Sequence, residues 1–126
     1  MAGEHILVVE DNEKNMKLFR DVLLVMGYRT LEATTGRQAV ELAAEHAPDL
    51  VLMDIQLPDI DGVEALRRLR ADERTASIPV LAVTAQAMHE DRDRFLAAGF
   101  DGYVSKPVNV GELLGTVRQH CDGRGR

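Results

Sequence analysis

The chain has 126 residues, of which 45% are hydrophobic and 29% charged, so it can form one globular domain with a substantial core. Its 15 basic and 21 acidic residues give a net charge of −6, which argues against direct binding to nucleic acid or to an anionic membrane. A single cysteine, Cys121, excludes an intrachain disulfide, and no apolar run approaches the ~20 residues of a membrane span. The N-terminus lacks a signal-peptide pattern, so we expect a cytoplasmic protein.

Apolar runs typical of strands alternate along the whole chain with segments of helical periodicity. The predicted elements, in chain order, are strand 6–9, helix 12–27, strand 28–33, helix 37–46, strand 50–53, helix 63–70, strand 80–83, helix 86–98, strand 102–104 and helix 109–120. We expect a domain over residues 1–121 and a flexible tail at 122–126. Five βα units with short connections predict an α/β fold with a parallel sheet and helices on both faces.

Local signals refine these elements. Asn12 and Gly27 suit the two ends of the first helix, and the weakly apolar strand 28–33 is predicted to lie at an edge of the sheet. The residues predicted to face inward are Met16, Phe19, Leu23 and Met26 in the first helix, Val40, Ala43 and Ala44 in the second, Leu66 and Leu69 in the third, and Val110, Leu113, Leu114 and Val117 in the last.

Four of the five predicted strands end in residues that can do chemistry: Glu10 with Asp11, Asp54, Thr84 and Lys106. In an open parallel sheet the carboxyl ends of the strands form the ligand-binding edge, so these side chains are expected to converge. Like charges 4 Å apart repel by roughly 4 kcal/mol at an effective dielectric constant near 20, so three carboxylates need a divalent cation or a raised pKa. Oxygen ligands favour Mg²⁺.

A lysine and a hydroxyl beside this acidic group complete a cradle for a phosphoryl group. Lys106 and the metal would neutralise the phosphoryl oxygens while Asp54 acts as the nucleophile, which gives an acyl phosphate on Asp54.

These motifs resemble the receiver (response regulator) domain of two-component phosphorelay systems, over essentially the whole chain. The resemblance rests on Val8-Val9-Glu10-Asp11-Asn12, on Leu52-Met53-Asp54-Ile55-Gln56-Leu57-Pro58 followed by Asp61-Gly62, on Val83-Thr84-Ala85, and on Lys106-Pro107. Within the family, the chain is most similar to stand-alone DivK-type receivers. The resemblance implies a flavodoxin-like (βα)5 fold with a five-stranded parallel sheet of order 2-1-3-4-5.

The resemblance also implies roles for matching positions. Asp54 would be the phosphoacceptor, contacted by Lys106, and the Lys106–Pro107 peptide would be cis. Mg²⁺ (or Mn²⁺) would be held by Glu10, Asp11, Asp54 and the main-chain carbonyl of Gln56. Thr84 would be the switch hydroxyl and Tyr103 its aromatic partner, although a half-buried strand aromatic is the simpler interpretation of Tyr103.

The resemblance implies protein partners as well. A sensor histidine kinase or histidine phosphotransferase would dock on the first helix through Asn15, Leu18 and Val22. The second apolar stripe of that helix, Leu18, Val22 and Val25, could instead be a wide core contact. A downstream protein would bind the face formed by the fourth helix, fifth strand and fifth helix. We expect a monomer or weak dimer whose output runs through protein contacts, since no output domain follows the last predicted helix.

Two other functions fit parts of the pattern. A Mg²⁺-dependent phosphohydrolase would also use Asp54 as nucleophile, but it would need a second aspartate two residues later, where this chain has Gln56. A degenerate receiver used only for protein contacts would not need the complete set of site residues. We therefore favour a phosphoacceptor signalling protein over an enzyme that turns over an external substrate.

Overall fold

A computed structural model describes residues 3–85 and 89–122 of the chain. The elements are β1 (His5–Val9), α1 (Glu13–Val25), β2 (Arg29–Ala33), α2 (Gly36–His46), β3 (Leu50–Asp54), α3 (Gly62–Ala71), β4 (Val80–Thr84), α4 (His89–Ala98), β5 (Gly102–Ser105) and α5 (Val110–Asp122). The order and type of the predicted elements are confirmed. The predicted start of the fourth helix at Gln86 lies outside the described residues. Asp122, which the sequence assigned to the tail, belongs to α5, and the rest of that tail is outside the described residues as well.

The five strands form one parallel sheet with the order β2-β1-β3-β4-β5, which confirms the flavodoxin-like (βα)5 topology. The edge position predicted for the second strand is also correct. All five residues of β3 and of β4 are buried, so continuous apolar runs mark the strands covered on both faces. The register pairs Asp54 with Val83 and Thr84 with Ser105, which brings the ends of β3, β4 and β5 to one edge.

Alternate residues of the strands pack into two separate cores, one on each face of the sheet. Leu7 and Val9 of β1 belong to the core with α2, α3 and α4, whereas Ile6 and Val8 belong to the core with α1 and α5. Within residues 3–85 and 89–122, no helix combines the length and apolar character needed to cross a membrane.

The helix ends follow local sequence. Asn12 caps α1, since its side chain accepts a hydrogen bond from the amide of Asn15 at 3.0 Å. Gly27, just after the Met26 cap, has a φ of 91°, a left-handed conformation that glycine adopts at low cost.

One inward-facing assignment is wrong, and another is incomplete. Val110 is 43% exposed, because the buried stripe of α5 repeats every four residues through Leu113, Val117 and Cys121 and leaves the first turn outside it. In α2 the buried pair is Ala39 and Ala43, while Val40 and Ala44 are only partly buried. The predicted Ala43 is thus confirmed and Val40 packs against the core, but the sequence did not predict the burial of Ala39.

Candidate functional site

Four strand ends carry the predicted site residues to the carboxyl edge of the sheet. Asp54 and Thr84 are the last residues of β3 and β4, and both are 4% exposed. Glu10 follows β1, is 1% exposed, and its amide donates to the carbonyl of Ala33 at 3.0 Å. Lys106 follows β5, and its amide donates to the carbonyl of Thr84 at 2.8 Å. Backbone pairing between neighbouring strands therefore sets the spacing of these residues.

The ammonium group of Lys106 lies between two buried carboxylates. Its Nζ is 3.0 Å from Oδ2 of Asp54 and 3.1 Å from Oε1 of Glu10. The other oxygen of each carboxylate accepts a main-chain hydrogen bond: Oδ1 of Asp54 from the amide of Gln56 at 2.9 Å, and Oε2 of Glu10 from the amide of Asn12 at 3.1 Å. The Lys106–Pro107 peptide is cis, as the resemblance implied.

The electrostatics of the site are unbalanced toward negative charge. Burial raises the pKa of Glu10, and the neighbouring Asp54 raises it further. Burial opposes the charged form of Lys106, but its contacts with the negative carboxylates of Asp54 and Glu10 outweigh burial and raise its pKa. Oε1 of Glu10 is buried and, among the described residues, has no hydrogen-bond partner of acceptable geometry, although it faces Lys106.

The carboxylates of Glu10, Asp11 and Asp54 form a set that could hold a metal ion. Their ligand oxygens lie within 4.8 Å of one another, and Asp11 is exposed, so the set opens to solvent. A hard divalent cation fits an all-oxygen set of this kind and would supply the positive charge that Lys106 alone does not. The residues present therefore fit Mg²⁺. The Gln56 carbonyl as a further ligand stays a prediction.

The start of α3 is packed closely against the backbone of Asp54. A Cβ atom on Gly62 would lie 2.6 Å from the carbonyl oxygen of Asp54 and 3.0 Å from Cα of Ile55, so only glycine fits there. The amide of Gly62 donates to the carbonyl of Ile55 at 3.0 Å, and Asp61 caps α3 by accepting from the amide of Glu64 at 2.8 Å. The loop between Asp54 and Gly62 is thus fixed at both ends.

Sequence reasoning missed the contact that holds the middle of this loop. Oδ1 of Asp59 accepts from the amide of Gly36 at 2.8 Å, and Oδ2 accepts from the amide of Arg37 at 3.0 Å. The sequence marked this loop only as turn-forming, because an aspartate beside proline is ordinary turn chemistry. The partner amides lie more than twenty positions away, and no local pattern points to them.

The two predicted switch residues lie at different depths. Thr84 is buried, whereas Tyr103 on β5 is partly buried and packs against the core that includes α2, α3 and α4. Tyr103 also lines an open cavity of about 610 Å³, together with Ser105, Glu112, Thr116 and others on β5 and α5. The cavity belongs to the face predicted for a downstream partner.

The second stripe of α1 is divided between core and surface. Leu18 and Val22 are partly buried, and Val22 packs against the core between the sheet, α1 and α5. Val25 is 84% exposed and Asn15 is partly buried. Val22 therefore contributes to the core and is partly accessible to a partner, while Val25 is a surface residue.

The chain belongs to the response regulator receiver domain family, whose pattern its residues 6–118 match. A relative of high similarity is the polar-differentiation response regulator DivK of Brucella ovis, 47% identical over 115 residues that cover 91% of this chain and 94% of the relative. The DivK protein of Brucella anthropi is 46% identical over the same shares of the two chains.

Solved structures agree with this assignment. The receiver domain of the sensor histidine kinase PA1611 from Pseudomonas aeruginosa PAO1, which has a magnesium ion coordinated in its active site cleft, is 38% identical with a TM-score of 0.88. That alignment covers 96% of this chain and 99% of the other. The chemotaxis protein CheY4 of Vibrio cholerae is 26% identical with a TM-score of 0.87, over 94% and 98% of the two chains. Fold, site and family thus favour a receiver over the phosphohydrolase alternative.

Proposed function

We propose that this chain accepts a phosphoryl group on Asp54 from a partner phosphohistidine, and that the modification changes its contacts with other proteins. One observation carries the proposal: Lys106 reaches across the edge of the sheet to within 3.0 Å of Asp54 and 3.1 Å of Glu10. A cation held against two buried carboxylates can neutralise the phosphoryl group that arrives on one of them. Membership of the receiver family supports the same role.

Glu10, Asp11, Asp54 and the main-chain carbonyl of Gln56 would hold Mg²⁺, or Mn²⁺, at this edge. When bound, the ion would offset the charge of the carboxylates and of the phosphoryl oxygens. The acidic set, the raised pKa of Glu10 and its buried oxygen, which has no hydrogen bond from the described residues, support this assignment. The magnesium in the active site cleft of the Pseudomonas receiver supports it too.

The transfer step uses groups of this chain and of the donor. A carboxylate oxygen of Asp54 attacks phosphorus, a P–O bond forms, and the P–N bond to the donor imidazole breaks. The bonding pair returns to the ring nitrogen, so no other reactant is needed. Lys106, freed from its pairing with Asp54, contacts the phosphoryl oxygens, and the hydroxyl of Thr84 at the end of the neighbouring strand donates to another.

The acyl phosphate carries about −1.5 to −2 charges at pH 7 and replaces a carboxylate of charge −1, so phosphorylation makes an already acidic site more negative by about 0.5 to 1 charge. Movement of Thr84 toward the phosphoryl group would let Tyr103 turn inward and reshape the face of α4, β5 and α5. Such a change is a population shift between two packings, and hydrolysis of the acyl phosphate reverses it. On this proposal the chain promotes its own phosphorylation and dephosphorylation, acts in the cytoplasm as a monomer or weak dimer, and turns over no external substrate.

The test of this function is incubation with acetyl phosphate and Mg²⁺, followed by intact mass measurement. We expect one phosphoryl adduct on the wild-type chain and none on Asp54→Asn. Asp93→Asn, which changes an exposed aspartate of α4, is the matched control and should keep the adduct. Repeated turnover of a small phosphate ester would favour the hydrolase, and absence of an adduct on the wild-type chain would refute the proposal.

Docking of the donor on α1 is the finer part of the proposal. Asn15, Leu18 and Val22 lie on the helix that begins three residues after Glu10, so a partner helix on this face would reach the acidic edge. Leu18→Glu should slow transfer from a phosphorylated histidine phosphotransferase and leave labelling by acetyl phosphate intact. Equal losses with both donors would refute docking at Leu18.

A further inference from the structure

The loop that follows Asp54 is held in its middle by a second element of the fold. Both carboxylate oxygens of Asp59 accept amides from the first turn of α2, at 2.8 Å from Gly36 and 3.0 Å from Arg37. The guanidinium of Arg37 adds an ion pair, since its Nε lies 3.6 Å from Oδ2 of Asp59. Anchoring is therefore bidentate and charge-assisted, which fixes orientation as well as distance.

Steric packing reinforces the same junction. A Cβ atom on Gly36 would lie 2.5 Å from Cγ1 of Ile60, so Ile60 contacts the α2 backbone at a distance that only glycine allows. Ile60 also packs against the core beneath α2 and α3. Two consecutive loop residues, one charged and one apolar, thus join the loop to the start of α2.

The start of α2 is suited to a carboxylate. The side chain of Thr35 accepts from the amide of Gln38 at 3.1 Å, so the amides of Gly36 and Arg37 are the first-turn donors that Asp59 satisfies. These amides and the positive end of the helix dipole favour the charged form of Asp59. The amides of Arg37 and Gly36, together with those of Ile60 and Asp59 itself, outweigh the effect of partial burial and lower the pKa of Asp59 to about 2.

The same loop carries Gln56, three residues before Asp59. The amide of Gln56 donates to Oδ1 of Asp54 at 2.9 Å, and its carbonyl is the proposed main-chain ligand of the metal. A carbonyl ligand binds a small hard cation only when the backbone holds it within a few tenths of an ångström of its place. The contact of Asp59 with α2 limits how far the backbone between Asp54 and Gly62, and with it the Gln56 carbonyl, can move.

From this geometry we infer that Asp59 is a positioning residue for the metal site: its bidentate contact with α2 holds the Gln56 carbonyl where Mg²⁺ binds. The inference rests on the proposed function, because it takes the acidic edge as the Mg²⁺ site. Asp59 touches neither the ion nor the phosphoryl group. Its removal should weaken Mg²⁺ binding and leave the chemistry at saturating Mg²⁺ unchanged.

The experiment measures Mg²⁺ binding to the full chain without any phosphodonor, from amide chemical shifts during titration with Mg²⁺ alone. Changes in the shell around metal ligands typically weaken binding by about 10- to 100-fold, and we expect about tenfold for Asp59→Ala. Asp59→Asn keeps one accepting oxygen and should fall between Asp59→Ala and the wild-type chain. The amides of Gly36 and Arg37 should shift in both variants.

Asp72→Ala is the matched control. Asp72 also accepts a main-chain amide, from Arg74 at 2.9 Å, but it follows α3 at the other end of the helix from the loop. Its loss should leave the Mg²⁺ affinity unchanged. Equal weakening in Asp72→Ala and Asp59→Ala would indicate general destabilisation and overturn the inference.

Labelling by acetyl phosphate then separates binding from chemistry. For Asp59→Ala we expect a higher half-saturating Mg²⁺ concentration with the same plateau rate. An unchanged Mg²⁺ affinity, or a lower plateau with unchanged affinity, would overturn the inference, as would a wild-type chain that binds no Mg²⁺.

If Asp59→Ala does not fold, Asp59→Asn with a measured thermal unfolding curve gives the same comparison. A wild-type chain that binds Mg²⁺ through Asp59-dependent geometry but takes no phosphoryl group would refute the proposed function alone.

Discussion

The two edges of the sheet are built from the same kinds of charged groups, with different results. At the amino edge, Arg70 donates to Asp101 at 2.9 Å and to the carbonyls of Ile78, Ala76 and Gly99. Oδ2 of Asp101 also accepts from the amide of Val80 at 2.8 Å. One cation faces one carboxylate; Arg70 has three further acceptors, and Asp101 has one further donor, the amide of Val80.

At the carboxyl edge, three carboxylates lie close together, the ammonium group of Lys106 contacts two of them, and one buried oxygen of Glu10 lacks a hydrogen bond within the described part of the chain. The charges of the amino edge are satisfied by groups of the fold itself, whereas the excess of negative charge at the carboxyl edge would be stabilised by an added cation. The difference favours the carboxyl edge as the reactive one, without reference to any motif. It also predicts that equivalent substitutions at the two edges have unlike consequences.

The largest effect is expected from loss of Lys106, the cation that contacts Asp54 and Glu10 at the carboxyl edge. Lys106→Ala should slow labelling by acetyl phosphate about 100-fold, the usual consequence of removing one group that stabilises charge in a transition state. The measurement is the rate of adduct formation by intact mass at saturating Mg²⁺. A rate near that of the wild-type chain would mean that Lys106 serves only to offset the buried carboxylates.

The same substitution should change stability in opposite directions at the two edges. Without Mg²⁺, Asp54→Asn removes a repelling charge and should raise the free energy of unfolding by about 1 kcal/mol, or about 4 °C in melting temperature. Asp101→Asn removes the partner of Arg70 and should lower the free energy of unfolding by about 1 kcal/mol. Thermal unfolding with and without Mg²⁺ checks both values.

Added Mg²⁺ should stabilise the wild-type chain and Asp101→Asn more than Asp54→Asn. A destabilised Asp54→Asn would show that Lys106 already balances the carboxyl edge.

A smaller effect is expected when Arg70 is replaced by another cation. Arg70→Lys keeps the charge but loses the planar group that reaches several carbonyls at once, so unfolding should become easier by about 1 kcal/mol or less. Urea unfolding gives the change in stability. Labelling by acetyl phosphate should be unaffected, and a slower rate in the folded variant would contradict the separation of the two edges.

The smallest effect concerns acid stability of the junction between the loop and α2. Asp59 has a folded-state pKa of about 2, below its ordinary value of 3.8, so its stabilising contribution is complete above pH 4 and is lost as pH falls toward 2. Asp59→Asn should therefore be less stable than the wild-type chain at pH 7, and the difference should shrink between pH 4 and pH 2. Urea unfolding at several pH values measures it. A difference that is independent of pH would show that the charge of Asp59 contributes nothing.

Sequence reasoning predicted the features that depend on local pattern. Continuous apolar runs predicted β3 and β4. Because Asp54 and Thr84 end these runs, the sequence placed both at the carboxyl edge of the sheet, where the structure has them. The exposed Val110 and the buried Ala39 were missed, because helical periodicity defines a stripe only to within a residue when several neighbours are apolar. The anchoring of Asp59 on α2 could not be predicted, since it joins residues that are distant in the chain and of ordinary turn-forming type.

The crowding at Gly62 limits how this molecule can be redesigned. Glycine is required there by space, since any β-carbon would meet the carbonyl oxygen of Asp54 at 2.6 Å. Substituting alanine would displace either the first turn of α3 or the backbone that carries the reactive carboxylate. The backbone of Asp54 thus determines which residue can occupy position 62. A library of variants that randomises the loop should keep Gly62 unchanged.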